Sequence, residues 1–246
     1  MDANSIKIVS LNIEGDKHLD RVLPFLLSQN FDVVCLQEVL NKDIPTIKNA
    51  LRMDGKYYPS VYFGAENRGG ITPDSMWGIL TLTNNTKAQY FSHTYVGNER
   101  LVPIFDNDDF NTVNRVLAGI EYPLADTDIR IFTTHFTWTP DGKTTDEQRN
   151  DYESLSSFLN KYEDFVLCGD FNAPRGQEVW DSLAIQYTDN IPKHITTTVD
   201  QEIHKVKGLQ LVVDGMFSTA QYSVEDTQVI DGLSDHMAVV AVVRRL

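Results

Sequence analysis

Phe165-Val166-Leu167-Cys168 is a continuous apolar run of strand length, the pattern of a strand covered on both faces. Comparable runs recur from residue 6 to residue 243, so this chain must build sheets and bury them. The run ends abruptly. Gly169 lets the backbone turn, and Asp170 and Asn172 follow with Phe171 between them. A carboxylate and an amide at the mouth of a core demand a reason.

The pattern predicts further strands over 6–13, 31–39, 56–63, 77–84, 88–96, 111–122, 129–136, 208–217, 221–229 and 236–243. Helical spacing covers 18–30, where Pro24 marks a kink or an early start, and also 43–53 and 178–185. Thr145-Asp146 caps a helix running to Lys161, with Leu155, Phe158 and Leu159 on its buried side. Residues 64–75, 97–110 and 186–207 read as loops. No linker, low-complexity tract or short-period repeat interrupts this order, so residues 1–246 are expected to form one domain. Strands that are first mixed and then alternate with helices predict an α/β protein, two packed sheets with helices outside.

At 246 residues the chain can remove roughly 70–75% of its unfolded surface from water, and needs no covalent staples. No apolar run approaches the ~20 residues of a membrane helix, so no membrane span is expected. The N-terminus, MDANSIKIVSLNIEG, enters a strand without a basic-then-apolar leader, so a secretory signal is not expected. Cys35 and Cys168 both fall inside core strands and read as small buried hydrophobes. That usage predicts a reducing compartment, the cytoplasm.

Charge narrows the choice of partners. Twenty-one basic against thirty-five acidic residues leave a net charge of −14, with no Lys/Arg-rich run. A protein that held nucleic acid mainly by neutralising phosphates would be basic on at least one face. Either some of the acids ligate a divalent cation that supplies positive charge locally, or the substrate is small.

Several apolar strands end on polar side chains. Asn12 ends the first, Gln37-Glu38 the second and His135 the one over 129–136. Asp170 and Asn172 follow FVLC, Asp214 interrupts LVVDGMF, and Ser234-Asp235-His236 precedes the last strand. Each has a local alternative: a turn at Asn12, a hydrogen-bonded core histidine at His135, an Asx turn at Asp170-Phe171-Asn172, a cap at Asp235-His236. Glu38 on a buried strand needs a partner or a metal, and Asp214 a histidine or a cation. Strands hold side chains rigidly where they leave a core, so the set reads as one site.

Asn12, LQEV with Glu38, TH with His135, GDFN with Asp170 and Asn172, VDGMF with Asp214, and SDH with Asp235-His236 resemble, in this order, the endonuclease/exonuclease/phosphatase superfamily. The likeness runs from the first strand to the last. It implies a deoxyribonuclease I-like, four-layered α/β sandwich with two mixed sheets and a site where these strands end. It further implies Mg²⁺ or Mn²⁺ on Glu38, with Asn12 and Asp235 nearby. His236, oriented by Asp214, would activate or position the attacking water, Asp170 would share the base role, and Asn172 would donate to the phosphate. His135 would bind phosphate or protonate the leaving group, and Arg115 in TVNRVLAGI matches a position that contacts phosphate. Hard oxygen ligands suit those ions, and two histidines with no cysteine cluster do not suggest zinc. The THFTW run around His135 departs from the exonuclease III branch and approaches the deoxyribonuclease I, sphingomyelinase and deadenylase-like branches. Asp74 is the nearest match to the carboxylate that pairs with this histidine in deoxyribonuclease I.

The expected activity is metal-dependent phosphodiester hydrolysis by a monomer, with nucleic acid, DNA or RNA, the favoured substrate. Trp138, Phe136 and Trp77 lie near the site in sequence and would stack on bases, or else are core and rim residues. A phosphatase or phospholipase-like diesterase acting on a small or lipid phosphate fits the acidic surface better. A binding module with the same fold and no catalysis is the third reading.

Overall fold

Strands β1 (Ser5–Asn12) and β2 (Val33–Leu40) lie parallel and adjacent, joined by helix α1 (Leu19–Gln29), and set the direction of the site. The computed structural model describes residues 4–64, 72–125 and 127–246. Helix α2 (Ile44–Leu51) follows, then β3 (Asp54–Phe63), β4 (Ser75–Thr83), β5 (Gln89–Val96), β6 (Arg115–Pro123) and β7 (Asp128–His135). The second half contains α3 (Asp146–Leu159), β8 (Val166–Asp170), α4 (Glu178–Gln186), β9 (Thr188–Asp189), β10 (Asp214–Ser218), β11 (Tyr222–Ile230) and β12 (Ala238–Arg245). One six-stranded sheet runs β11-β12-β1-β2-β4-β3 and the other β5-β6-β7-β8-β10-β9. Each is mixed, with one parallel pair, β1–β2 and β7–β8 respectively.

Alternation along the strands builds the layers. Ile6 and Ile8 of β1, Val33 and Cys35 of β2, and Val239 and Ala241 of β12 face the second sheet. Their neighbours Val9, Leu11, Val34, Leu36 and Val240 pack with Val22 and Leu26 of α1 and Ile47 of α2. On the far side, α3 and α4 press Leu155, Leu159, Trp180 and Leu183 into the larger core. Two sheets inside and helices outside give the four layers. Thr145 caps α3, its side chain accepting from the Gln148 N–H. The protein contains no helix, among the described residues, long and apolar enough to cross a membrane.

Four expectations change. Of the strand expected over 208–217 only the end forms, within Asp214–Ser218, so Asp214 begins a strand rather than interrupting one. The preceding backbone is bonded elsewhere: Thr198 Oγ1 accepts from Val213 N, while the Val212 and Val213 carbonyls accept from Arg175 N and Phe171 N. Residues 111–114 turn instead of extending, with Val113 N bonded to Asn111 O, and β6 starts at Arg115. The loop expected over 186–207 contains the short β9, which pairs with Phe217 and Ser218 of β10. Of the loop expected over 64–75, residues 65–71 lie outside the described residues, and Ser75 already belongs to β4.

Gly169 is demanded by geometry. Its φ is +140°, and a Cβ there would sit 2.0 Å from the Thr134 carbonyl oxygen. Only glycine lets β8 approach β7 this closely just before Asp170.

Candidate active site

Strand direction decides which side chains meet. The parallel pairs β1–β2 and β7–β8 deliver their C-terminal ends, hence Asn12, Glu38, His135 and Asp170. The antiparallel neighbours β6, β10 and β12 deliver their N-terminal ends, hence Arg115, Asp214 and Asp235-His236. Asp214 stands opposite Asp170 in the β8–β10 register, and His135 stands beside Asp170 in the β7–β8 register.

Glu38 reaches the seam only because β2 is irregular. Strict alternation would send it, like Val34 and Leu36, towards the helices. The β2–β4 register shifts between Leu36 and Val39, and Glu38 adopts a left-handed φ of 57°. This bulge turns its carboxylate into the space between the sheets, with Oε1 3.7 Å from His135 Nε2.

Asp170 is the hub. Its Oδ2 accepts from Asn12 Nδ2 at 3.1 Å and lies 3.6 Å from His135 Nε2 and 3.7 Å from His236 Nε2. Its Oδ1 accepts from the Asn172 N–H at 2.9 Å, so the expected Asx turn is present together with the cluster. Asn172 sits at φ 48° and donates one amide hydrogen to the Phe136 carbonyl. His236 Nδ1 is 2.9 Å from Asp214 Oδ2. The side chains of Asn12, Asp170 and Asp214 are all buried. Arg115, also buried, donates to the His135 carbonyl at 3.2 Å and to Asn111 Oδ1 at 2.9 Å. Its Nε meets no partner among the described residues.

Burial and crowding set the charge states. Burial pushes Glu38 up to about 8, and the nearby Asp235 and Asp170 carboxylates reinforce it against the Asn12 hydrogen bond. Burial pulls His135 down to about 4, with the charges of Arg115 and His236 assisting and Asp170 opposing. Burial alone would lower His236, but the Asp214, Asp170 and Asp235 carboxylates hold it well above the ordinary imidazole value. The site therefore crowds acidic groups around side chains that keep only a small part of their surface exposed, 13% for Glu38, 16% for His135 and 12% for His236.

That donor set fits a hard divalent cation. Ligand atoms of Asp170, Asp214 and His236 all lie within 4.8 Å of one another. Asp214 and His236 already satisfy each other, whereas the Glu38 carboxylate faces a neutral histidine and two further acids. Glu38 is thus the acid whose burial a cation would relieve most.

Sequence reasoning passed over the strap that holds these groups. The buried Thr198 hydroxyl accepts from the N–H groups of both Val213 and Asp214, and its carbonyl accepts from Met237 N at 2.7 Å. Asp200 N donates to the Asp235 carbonyl, and Asp200 Oδ2 accepts from Gly232 N at 2.6 Å. Residues 198–200 so tie the Asp214 segment to the His236 segment. Nothing in TTTVD marks this role, because it depends on backbone groups 15 or more residues away. Gln37, read from the sequence as one of the polar residues ending its strand, bonds Ser10 through Nε2 and, across the seam, Thr133 Oγ1 at 2.9 Å. Asp74 is exposed and accepts the Tyr62 hydroxyl, while the carboxylates facing His135 are Glu38 and Asp170. Of the three aromatics, Phe136 is core, Trp77 packs edge-on against Phe63, and Trp138 is exposed.

Fold and site together define a class: a deoxyribonuclease I-like sandwich of two mixed sheets with an acid–histidine centre at the strand ends. The family model described as endonuclease/exonuclease/phosphatase matches residues 9–236. The chain belongs to that family, whose members are phosphoester hydrolases. A Bacteroides vulgatus structure described as an endonuclease/exonuclease/phosphatase superposes with a TM-score of 0.69 at 18% identity, covering 98% of this chain and 99% of that one. The human Nocturnin catalytic domain, solved with a bound sulfate anion, gives 0.73 at 16% identity, covering 99% and 94%. A mannosyl-6-phosphatase from Bacteroides thetaiotaomicron gives 0.65 at 14%, covering 97% and 99%. At such identities the likeness speaks for the fold alone. No curated protein matches the sequence.

Proposed function

We propose that residues 1–246 act as one catalytic unit, a Mg²⁺- or Mn²⁺-dependent phosphodiesterase of the cytoplasm, monomeric, with DNA or RNA as its leading substrate. The observation that carries this reading is the spacing around Asp170 Oδ2. Its two histidine neighbours, at 3.6 and 3.7 Å, lie beyond direct hydrogen-bond range, so one oxygen seated beside the three groups is within hydrogen-bond reach of all of them. A water and a phosphoryl oxygen are the oxygens this reaction needs.

Glu38, with Asn12 and Asp235, would hold the cation. Once bound, it supplies charge neutralisation at the phosphoryl oxygens. His236 keeps Nδ1 on Asp214 and, held protonated by the surrounding carboxylates, positions the attacking water with Nε2–H, while the water's proton passes to Asp170. His135, whose Nε2 faces the same Asp170 Oδ2, binds a phosphate or leaving-group oxygen. Arg115 adds positive charge, and Asn172 retains a second amide hydrogen for a phosphate oxygen. The two free cysteines, Cys35 and Cys168, support a reducing compartment.

The net charge of −14 favours a second reading, hydrolysis of a small or lipid phosphate. Magnesium-dependent turnover of bis-p-nitrophenyl phosphate, plasmid DNA, an RNA oligomer and a sugar phosphate tests both. Cleavage of the polymers supports the nuclease, and cleavage of the sugar phosphate alone supports the alternative. Inactivity on all four, with metal supplied, counts against both the nuclease and the sugar phosphatase.

A further inference from the structure

Two exposed aromatic rings stand beside the phosphate-binding side of the site. Trp138 is 43% exposed and Phe110 56% exposed, whereas every other Phe, Tyr or Trp side chain among the described residues is buried or half-buried. Their ring centroids are 5.5 Å apart at 57°, so they present one joined surface. Trp138 lies three residues beyond His135, and Phe110 five residues before Arg115.

Asn111 fixes this surface to the site. Its Nδ2 donates to the Trp138 carbonyl and to Glu147 Oε2, each at 3.0 Å, while its Oδ1 accepts from Arg115 Nη2. Arg115 in turn donates to the His135 carbonyl. One amide therefore couples the candidate phosphate contacts to the aromatic pair. The loop beneath is pinned as well. Asn114 Nδ2 donates to the carbonyls of Asn98 and Leu101, and Phe105 bridges Phe110 to the buried Phe63. The rings are held in advance of any ligand.

We infer that Phe110 and Trp138 form a stacking subsite for the nucleobase attached to the phosphate held by Arg115 and His135. This inference rests on the proposed phosphoester site and names what the substrate carries. Charge favours a base over the alternatives. An excess of 14 acidic residues repels a polyanion and an anionic membrane surface alike. Stacking supplies affinity without neutralising phosphates. Size agrees. Two half-exposed aromatic side chains offer on the order of 200 Å², the scale of one base, whereas a stable protein interface buries about 1,200 Å² or more.

The test is binding, measured apart from turnover. Adenosine 5′-monophosphate and ribose 5-phosphate, which differ only by the base, are titrated calorimetrically into the whole chain with Mg²⁺ present. The wild type is expected to favour the nucleotide at least about tenfold. Trp138→Ala and Phe110→Ala should each shrink that ratio, the double variant should bring it near one, and Trp138→Phe should preserve most of it. A wild-type ratio near one, or a ratio that survives the double truncation, overturns the inference. So does Trp138-dependent sedimentation with phosphatidylcholine vesicles without any base preference. Absence of turnover beside an intact, Trp138-dependent ratio would count against the hydrolase and leave the stacking subsite standing.

Discussion

His236 Nδ1 and Asp214 Oδ2 meet at 2.9 Å although the strands they lead into belong to different sheets. His236 precedes β12 of the first sheet, and Asp214 opens β10 of the second. The pair spans the seam, so its geometry reports how the two sheets sit against each other. Residues 198–200, bonded to both segments, set that geometry from behind.

Thr198→Val should therefore damage catalysis without touching substrate. It removes the acceptor of two backbone N–H groups, a loss of about 1–3 kcal/mol in stability. Turnover number should fall roughly tenfold with KM little changed, as expected for lost positioning. Thr198→Ser, which keeps the acceptor, should restore both. Steady-state kinetics beside thermal melts decide it, and a valine variant with full turnover would remove Thr198 from the positioning role.

Glu38→Ala tests the cation site. Magnesium-dependent turnover is expected to drop by at least about a hundredfold, with circular dichroism unchanged. Added Mg²⁺ should raise the melting temperature of the wild type and leave that of the variant in place, since a ligand stabilises only the state that binds it. Equal thermal shifts in both proteins would assign the ion to other residues.

Gln37→Ala should be costly for stability rather than chemistry. It strips a partner from the buried hydroxyls of Ser10 and Thr133, one on each sheet. A loss of about 1–3 kcal/mol is expected, read as a fall in the denaturant midpoint at constant slope.

His93 predicts an acid limb remote from the site. It stacks on Phe158 at 4.7 Å and bonds the Tyr162 hydroxyl at 2.8 Å. Burial lowers its pKa, and the Lys161 charge lowers it further against Glu99. An imidazole depressed on folding takes up its proton more readily when unfolded. Its contribution is full above the unfolded value near 6.5 and is lost as pH falls through the lower folded value. His93→Phe should flatten stability against pH below about 6.5. An unchanged slope in thermal melts across that range would place the acid limb elsewhere.

Much of the fold was written locally. Continuous apolar runs such as Phe165–Cys168 and helical spacing over 18–30 depend on nearest neighbours, and these elements appear within a residue or two of where the periodicity put them. Strand 208–217 failed for the opposite reason, because Thr198 and the turn after Asp170 took its backbone groups from a distance. The order of polar strand ends, Asn12, Glu38, His135, Asp170, Asp214 and His236, was legible as residue types, because a buried acid or amide needs a partner wherever it lies.

The amino-acid sequence alone determined the two-sheet class, the membership of the polar set and the acidic balance, all of which follow from side-chain chemistry and short-range period. Only the tertiary structure decided that Glu38 turns inward through a bulge, that Asp170 lies within reach of both histidines, and that Trp138 rather than Phe136 faces solvent. Those outcomes depend on register and on the packing of one sheet against the other, and no local stretch of chain contains that information.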